Sequence, residues 1–216
     1  MDSFTQFEGN LLIGIQEALN ADWLTPVMKV ITYFGEGGCF WIALCLVLLW
    51  CKKTRRLGMV CAFSLLFTFI CCNLILKPTI GRARPWEVFE AVKPLLPHPG
   101  DASFPSGHTS NAMGPAWGMF VATLPIKSES GRSYDLVPCL GWNGIGADAK
   151  VMHRLSIALV ILAVLIGISR LYLGVHYPSD VICGLLLGMM CGTVVYVIIT
   201  SIEKKRGCIF GGEIEK

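Results

Sequence analysis

Leu57-Gly-Met-Val-Cys-Ala-Phe-Ser-Leu-Leu-Phe-Thr-Phe-Ile-Cys-Cys-Asn-Leu-Ile-Leu76 runs for 20 residues without a charge, then breaks onto Lys77-Pro-Thr-Ile-Gly-Arg82-Ala-Arg84-Pro85. A helix needs about 20 apolar residues to cross the hydrocarbon core of a bilayer. The stretch therefore predicts one complete span that delivers three cations to a membrane face. Two further runs have the same character: residues 181–202 hold no charge over 22 positions, and residues 104–126 hold only His108 over 23. Residues 37–51 and 155–169, each 15 long, predict two shorter spans. The first can extend upstream over 31–34, and the second past Arg170 toward Gly174.

The composition agrees. Of 216 residues, 54% are hydrophobic and 15% charged, with a mean hydropathy of +0.61; a soluble domain carries about 25% charged residues. The expectation is an all-α fold, a polytopic membrane helical bundle of five transmembrane helices in a single membrane-embedded domain over 1–216. Six is the alternative count, but Glu17, Asp22 and Lys29 disfavour an extra crossing near 10–34. Residues 1–36 are expected to form interfacial N-terminal helices instead. Leu11, Leu12, Ile15, Ala18 and Leu19 recur at helical spacing, with Glu8, Gln16 and Glu17 elsewhere on the wheel. Asn20-Ala-Asp22 breaks that helix ahead of a second one over 23–34.

The acidic, polar beginning of the chain lacks the basic stub of a signal peptide. Most of the 10 cysteines lie in or against apolar runs, where a thiol acts as a small hydrophobe; no disulfide framework and no CxxC metal pair is expected. The net charge of +3 is too small to argue for a nucleic-acid partner.

Charge placement sets an orientation. Lys52-Lys53-Thr-Arg55-Arg56 and Glu203-Lys204-Lys205-Arg206 are basic segments of the kind retained in the cytoplasm. Alternating the five spans from there puts 12 of the 18 Lys and Arg residues inside and 6 outside. Residues 78–103, with five prolines, become an extracytoplasmic loop. Residues 128–150 become a cytoplasmic loop, long for a helix connection, where about 2–8 residues are usual.

That threading brings three distant fragments to the same outer face. The first holds Lys77, Arg84 and Pro85. Arginine forks match phosphate oxygens and lysine adds a point charge, so Lys77, Arg84 and Arg170 can surround a phosphoryl group; the plainer reading is snorkelling to lipid headgroups. Arg82 competes for the same role, although alternate residues of an extended segment point oppositely.

The second fragment, Pro105-Ser106-Gly107-His108, opens a helix. Free N–H groups near Ser106 and Gly107 would bind an anion there, with His108 as general acid; the plainer reading is a serine cap beside a structural histidine. The third is Ser169-Arg170-x5-His176-x3-Asp180. Pro178 suits a first helical turn, which sets Asp180 where it can fix the His176 tautomer and leave the other ring nitrogen basic. The plainer reading is a carboxylate that only caps the helix. An ionisable set of this size at span ends is a functional-site signal in a membrane protein.

Taken together, Lys77-x6-Arg84-Pro85, Pro105-Ser106-Gly107-His108 and Ser169-Arg170-x5-His176-x3-Asp180 resemble the three-part signature of the type 2 phosphatidic acid phosphatase superfamily, with every signature position present. The resemblance implies a small bacterial-type integral-membrane lipid phosphatase, undecaprenyl-diphosphatase-like, acting on a polyprenyl diphosphate or a phosphatidyl lipid such as phosphatidic acid. It implies a phosphohistidine at His176, oriented by Asp180, with His108 protonating the leaving group. Lys77, Arg84, Ser106, Gly107 and Arg170 would bind the phosphate, with no metal and no cofactor. The expected location is the bacterial cell membrane, with the site facing the extracytoplasmic side and membrane lipid as the partner. Residues 128–150 depart from the short connection expected of small bacterial members. Two rival readings remain: a lipid phosphotransferase using the same intermediate, and a non-catalytic lipid-phosphate transporter.

Overall fold

The 57–76 run folds as a helix, with one irregularity. In the computed structural model, which describes residues 3–19, 21–97, 99–124, 126–127, 133–134 and 147–205, α4 (Arg55–Phe69) passes into a π-helical stretch, Ile70–Leu76, and then into the short α5, Lys77–Ile80. A π-helical insertion rotates every later side chain around the helix axis and is frequent at functional sites. Here it sets the direction in which Lys77 leaves the span. Gly81 closes α5 in the left-handed region at φ 60°, and α6 (Pro85–Val88) follows.

The order before α4 is α1 (Ser3–Leu19), α2 (Leu24–Tyr33), a 3₁₀ turn at Glu36–Gly38, and α3 (Cys39–Trp50). After α6 come α7 (Gly107–Ala122), α8 (Ala147–Tyr172) and α9 (Pro178–Lys205). A two-rung antiparallel ladder pairs Ile126 with Tyr134 and Lys127 with Ser133. Apart from it, the regular structure of the described residues is helical.

Three segments are long and apolar enough to cross a membrane: Arg55–Val88, Ala149–Tyr172 and Pro178–Glu203. A fourth arises if α2 and α3, which meet at 42°, form one bent span. Two sequence expectations change here. The 104–126 run yields only 16 helical residues, α7, about 24 Å at 1.5 Å per residue; Phe104 and Pro105 remain outside the helix. The weak 155–169 run gains more than two turns at its start, because Lys150, His153 and Arg154 are taken into α8. Most of the 128–150 loop, including Gly141-Trp-Asn-Gly144, lies outside the described residues.

The α7 helix sits at the centre, against α4, α8 and α9. Its approach to α9 is backbone on backbone. A Cβ on Gly192 would lie 2.7 Å from the Gly114 carbonyl oxygen and 2.8 Å from the Gly118 nitrogen, and one on Gly188 would lie 2.8 Å from the Ser110 carbonyl oxygen. Small residues four apart permit this kind of packing inside a membrane, where apolar side chains gain nothing by leaving lipid. Trp41, Val60, Cys61, Met113, Met119 and Ile166 fill the core around α7. At the end carrying the start of α4, Arg56 grips the Glu203 carboxylate with Nε at 2.9 and 3.0 Å and Nη2 at 2.9 Å.

The helix expected near the start of the chain is α1, and its wheel has a definite orientation. Leu12 is fully buried, but Phe4, Phe7, Leu11 and Leu19 are exposed, while Glu8 is 2% exposed. The apolar face looks outward and a carboxylate looks in, as lipid surroundings allow.

Candidate active site

The three sequence fragments meet where α5, α7, α8 and α9 end. The backbone N–H of Ser106 donates to the Asp180 carbonyl oxygen at 3.0 Å, so the start of α7 is fastened to the first turn of α9. Ser106 makes no side-chain cap; its hydroxyl pairs with Thr109 at 2.9 Å. The plainer reading of the second fragment, a serine cap, is therefore not what the helix end uses: the Ser106 N–H is taken by Asp180, and Gly107 opens the helix.

His176 is 1% exposed and Asp180 fully buried. His176 Nδ1 lies 3.4 Å from Asp180 Oδ2, and the same oxygen accepts the Tyr177 N–H at 2.9 Å. Asp180 thus accepts a backbone N–H at the start of its helix and contacts the imidazole with the same oxygen, so the two alternatives left open by the sequence do not exclude each other. Ser103, absent from the sequence argument, donates its hydroxyl to Asp180 Oδ2 and lies 3.5 Å from Nδ1. With Nδ1 carrying the proton toward Asp180, Nε2 holds the lone pair. Arg84 Nη1 stands 3.3 Å from that Nε2 and gives a shorter bond, 2.8 Å, to the Val175 carbonyl oxygen. Burial pushes the His176 imidazole down; the Asp180 hydrogen bond opposes this, Arg170 and Arg84 reinforce it, and the ring ends at about 3. It is neutral at pH 7, the form in which a histidine nitrogen can attack.

The three cations lie buried in the same region. Lys77 is 6% exposed, and Arg84 and Arg170 are 2% exposed, a burial that charges tolerate only when paired or coordinated. One carboxylate, Asp101, pairs with both Lys77 Nζ and Arg84 Nη2, and its backbone oxygen accepts from Arg84 Nε at 2.9 Å. Burial raises the Asp101 carboxyl, but the Lys77 hydrogen bond and the two positive charges outweigh it and hold it at about 2. Arg170 gives Nη1 to Thr32 Oγ1 at 2.9 Å, while its buried Nε has no partner. An unpaired buried guanidinium donor beside a histidine and two other cations fits an anionic oxygen.

His108 reaches the same space from α7. Its Nε2 is 3.0 Å from Glu36 Oε2 on the turn between α2 and α3, a second carboxylate the sequence did not single out. Lys77, Asp101, Gly107 and His108 line the head of a cavity of about 560 Å³. From there the cavity runs between α3 and α4 along Ile42, Leu46, Leu49, Leu66 and Phe69, of which all but Leu49 are exposed on the outer surface of the bundle. A polar head that holds Lys77 and His108, joined to an apolar trough open to the bundle's flank, suits an amphiphile whose polar end enters first.

Every residue singled out from the sequence is in this region except in one respect: Arg82 does not join the clamp. It turns away, as extended alternation suggested, to Asp180 Oδ1 at 2.7 Å and Glu8 at 2.7 Å. Sequence reasoning missed Glu8, Glu36, Asp101 and Ser103. Asp101 and Ser103 could have been found as the polar pair immediately ahead of Pro105 in a chain short of acids. Glu8 and Glu36 carried no local signal. Among the described residues no group of three or more His, Cys, Asp or Glu side chains gathers to hold a metal ion.

Known proteins resemble this chain in sequence and in fold. Phosphatidylglycerophosphatase B of Bacillus subtilis is 32% identical over 173 residues, covering 78% of this chain and 71% of that protein. Undecaprenyl-diphosphatase of Sulfolobus acidocaldarius is 30% identical over 165 residues, covering 76% and 66%. The crystal structure of a transmembrane PAP2 type phosphatidylglycerolphosphate phosphatase from Bacillus subtilis superposes with a TM-score of 0.70 at 24% identity, over 94% of this chain and 89% of that one; that likeness speaks to the fold. The family model for the PAP2 superfamily matches residues 57–203, a stretch that encloses all three fragments. The chain belongs to the PAP2 superfamily and, with its phosphatase relatives, is a phosphoric ester hydrolase.

Proposed function

We propose that this chain is an integral-membrane lipid phosphatase that removes a terminal phosphate from a lipid phosphate or polyprenyl diphosphate through a phosphohistidine on His176. The observation that carries the lipid reading is the continuity of the polar head at Lys77 and His108 with the apolar cavity, whose volume falls within the roughly 300–1,000 Å³ of small-ligand sites. Lys77, Arg84, Arg170, the Ser106 hydroxyl and the N–H of Gly107 hold the phosphoryl oxygens and stabilise the charge that spreads over them in the transition state. His176 Nε2 attacks phosphorus in line with the scissile bond. The electron pair of that bond leaves with the lipid oxygen, which takes a proton from His108. Water, deprotonated by the same His108, then attacks the phosphohistidine and releases inorganic phosphate and free His176. The clamp supplies the positive charge that a magnesium ion would bring to other phosphoryl transfers, so turnover is metal-independent.

In this reading five helices cross the membrane, counting α7 and the α2–α3 pair with the three long spans, and the site faces the extracytoplasmic side. The basic segments around Lys52 and Lys205 stay in the cytoplasm. The substrate is then a lipid of the outer leaflet, and the relatives' substrates make phosphatidylglycerol phosphate and undecaprenyl diphosphate the first to try.

Purified protein in detergent with EDTA should be given undecaprenyl diphosphate, phosphatidic acid, phosphatidylglycerol phosphate and a soluble monoester. Release of phosphate from at least one lipid, well above the monoester, is expected. Equal turnover of the monoester would remove the role of the apolar cavity, and activity restored only by magnesium would remove the metal-independent mechanism.

A further inference from the structure

Behind Asp180 lies a second charged layer that the reaction just described does not use. Glu8, on α1, is a carboxylate with 2% exposure, and both of its oxygens are occupied. Oε1 accepts the backbone N–H of Ser179 at 2.7 Å; Oε2 accepts the Ser179 hydroxyl at 2.9 Å and Arg82 Nη2 at 2.7 Å. Arg82 Nη1 donates to Asp180 Oδ1 at 2.7 Å and to Ser179 Oγ at 2.8 Å, and its guanidinium lies 4.0 Å over the Tyr177 ring. Asp180 therefore has two sides: Oδ1 faces Arg82, while Oδ2 faces Ser103, the Tyr177 N–H and His176.

This division matters for an attacking imidazole. As Nε2 bonds to phosphorus, positive charge grows on the ring, and Asp180 is the negative charge that stabilises it. A guanidinium on the same carboxylate fixes its direction but works against that stabilisation. Glu8 supplies a compensating negative charge. Glu8, Arg82 and Asp180 together carry one net negative charge, and that is what faces His176; without Glu8 they would carry none. Arg84 and Arg170 also face His176, and Asp101 faces Arg84, so the ring already sits in a positive surrounding that leaves little margin.

We propose that Glu8 and Arg82 are positioning residues for phosphoryl transfer, Arg82 by aiming Asp180 and Glu8 by cancelling the Arg82 charge so that Asp180 keeps its field on His176. The inference rests on reading His176 as the nucleophile. It also gives α1 a task, because Glu8 lies outside the 57–203 stretch matched by the family. Docking of the N-terminal helix on the first turn of α9 completes the charge balance of the site.

The test uses the full chain in detergent with two probes, vanadate and inorganic phosphate. Vanadate bonds to the attacking nitrogen as a five-coordinate mimic, whereas phosphate only occupies the clamp. Glu8→Gln keeps an acceptor for the Ser179 N–H but removes the charge. It should weaken vanadate binding about tenfold while phosphate binding stays within about twofold. The double variant Glu8→Gln/Arg82→Gln removes both opposing charges and should return to within about threefold of wild type. A residue that merely pins α1 gives the opposite pattern, a double variant at least as impaired as Glu8→Gln. That result, or an unchanged ratio of the two affinities in Glu8→Gln, overturns the proposal. Wild-type protein that binds phosphate but not vanadate overturns the histidine-nucleophile reading itself, and this inference with it.

Discussion

Replacing Asp101 with Asn should make the site bind phosphate more tightly, although it removes an ion pair from the protein. Asp101 pairs with Lys77 and Arg84, the two cations that the substrate phosphate must engage. Its carboxyl is held at about 2 against an ordinary 3.8, which at ~1.36 kcal/mol per pH unit corresponds to about 2.5 kcal/mol of preference for the ionised form. The side chain is 53% exposed, so solvent screening reduces the real competition to about 1 kcal/mol. That is about a fivefold fall in KM and in the inhibition constant of inorganic phosphate. The sign with pH follows from the lowered value: the contact is fully present above 3.8 and is lost only as pH falls toward about 2. The ratio of wild-type to Asp101→Asn KM should therefore stay flat between roughly pH 5 and pH 8. Steady-state phosphate release measured across that range checks both points. A KM that rises in Asp101→Asn would mean that Asp101 serves the bound substrate rather than competing with it.

Three further outcomes are expected. His108→Ala should lower kcat by roughly a hundred- to ten-thousandfold, the usual contribution of a positioned acid or base, with KM little changed; a lipid whose leaving group is already a good one should be hurt least. Gly192→Val should lower thermal stability in detergent by about 1–3 kcal/mol, because its Cβ would lie 2.7 Å from the Gly114 carbonyl oxygen; an unchanged unfolding midpoint would show that α7 and α9 can part freely. Single cysteines at Glu90 and Lys52, both exposed, in a Cys-free background should react with an impermeant thiol reagent on intact cells at position 90 and not at 52; the reverse pattern would move the site to the cytoplasmic side and remove the case for an outer-leaflet lipid.

Much of this arrangement could be read from the chain itself. Uncharged length marked the spans around α4 and α9, and the basic and histidine residues at their ends marked the site, because lipid permits charge only where something uses it. Length failed where packing took over. The central α7 is shorter than its uncharged run, since Pro105 and Ser106 are spent on joining it to α9. The 155–169 run understated α8, whose first turns carry Lys150, His153 and Arg154 outside the most apolar stretch. The carboxylates were the hardest to see. Asp101 and Glu36 meet Lys77, Arg84 and His108 only through tertiary contact, and Glu8 lay on the polar side of α1 with no signal of which way that side turns. Amphipathic periodicity identifies two faces, but in a membrane protein it does not say which of them turns inward.

The central claim is that His176 carries the phosphoryl group. Rapid acid-free quenching of the protein with a terminally labelled lipid phosphate should trap label that is stable in base and lost in acid, and the label should be absent from His176→Ala. Undiminished label in His176→Ala protein would contradict the claim and require another nucleophile.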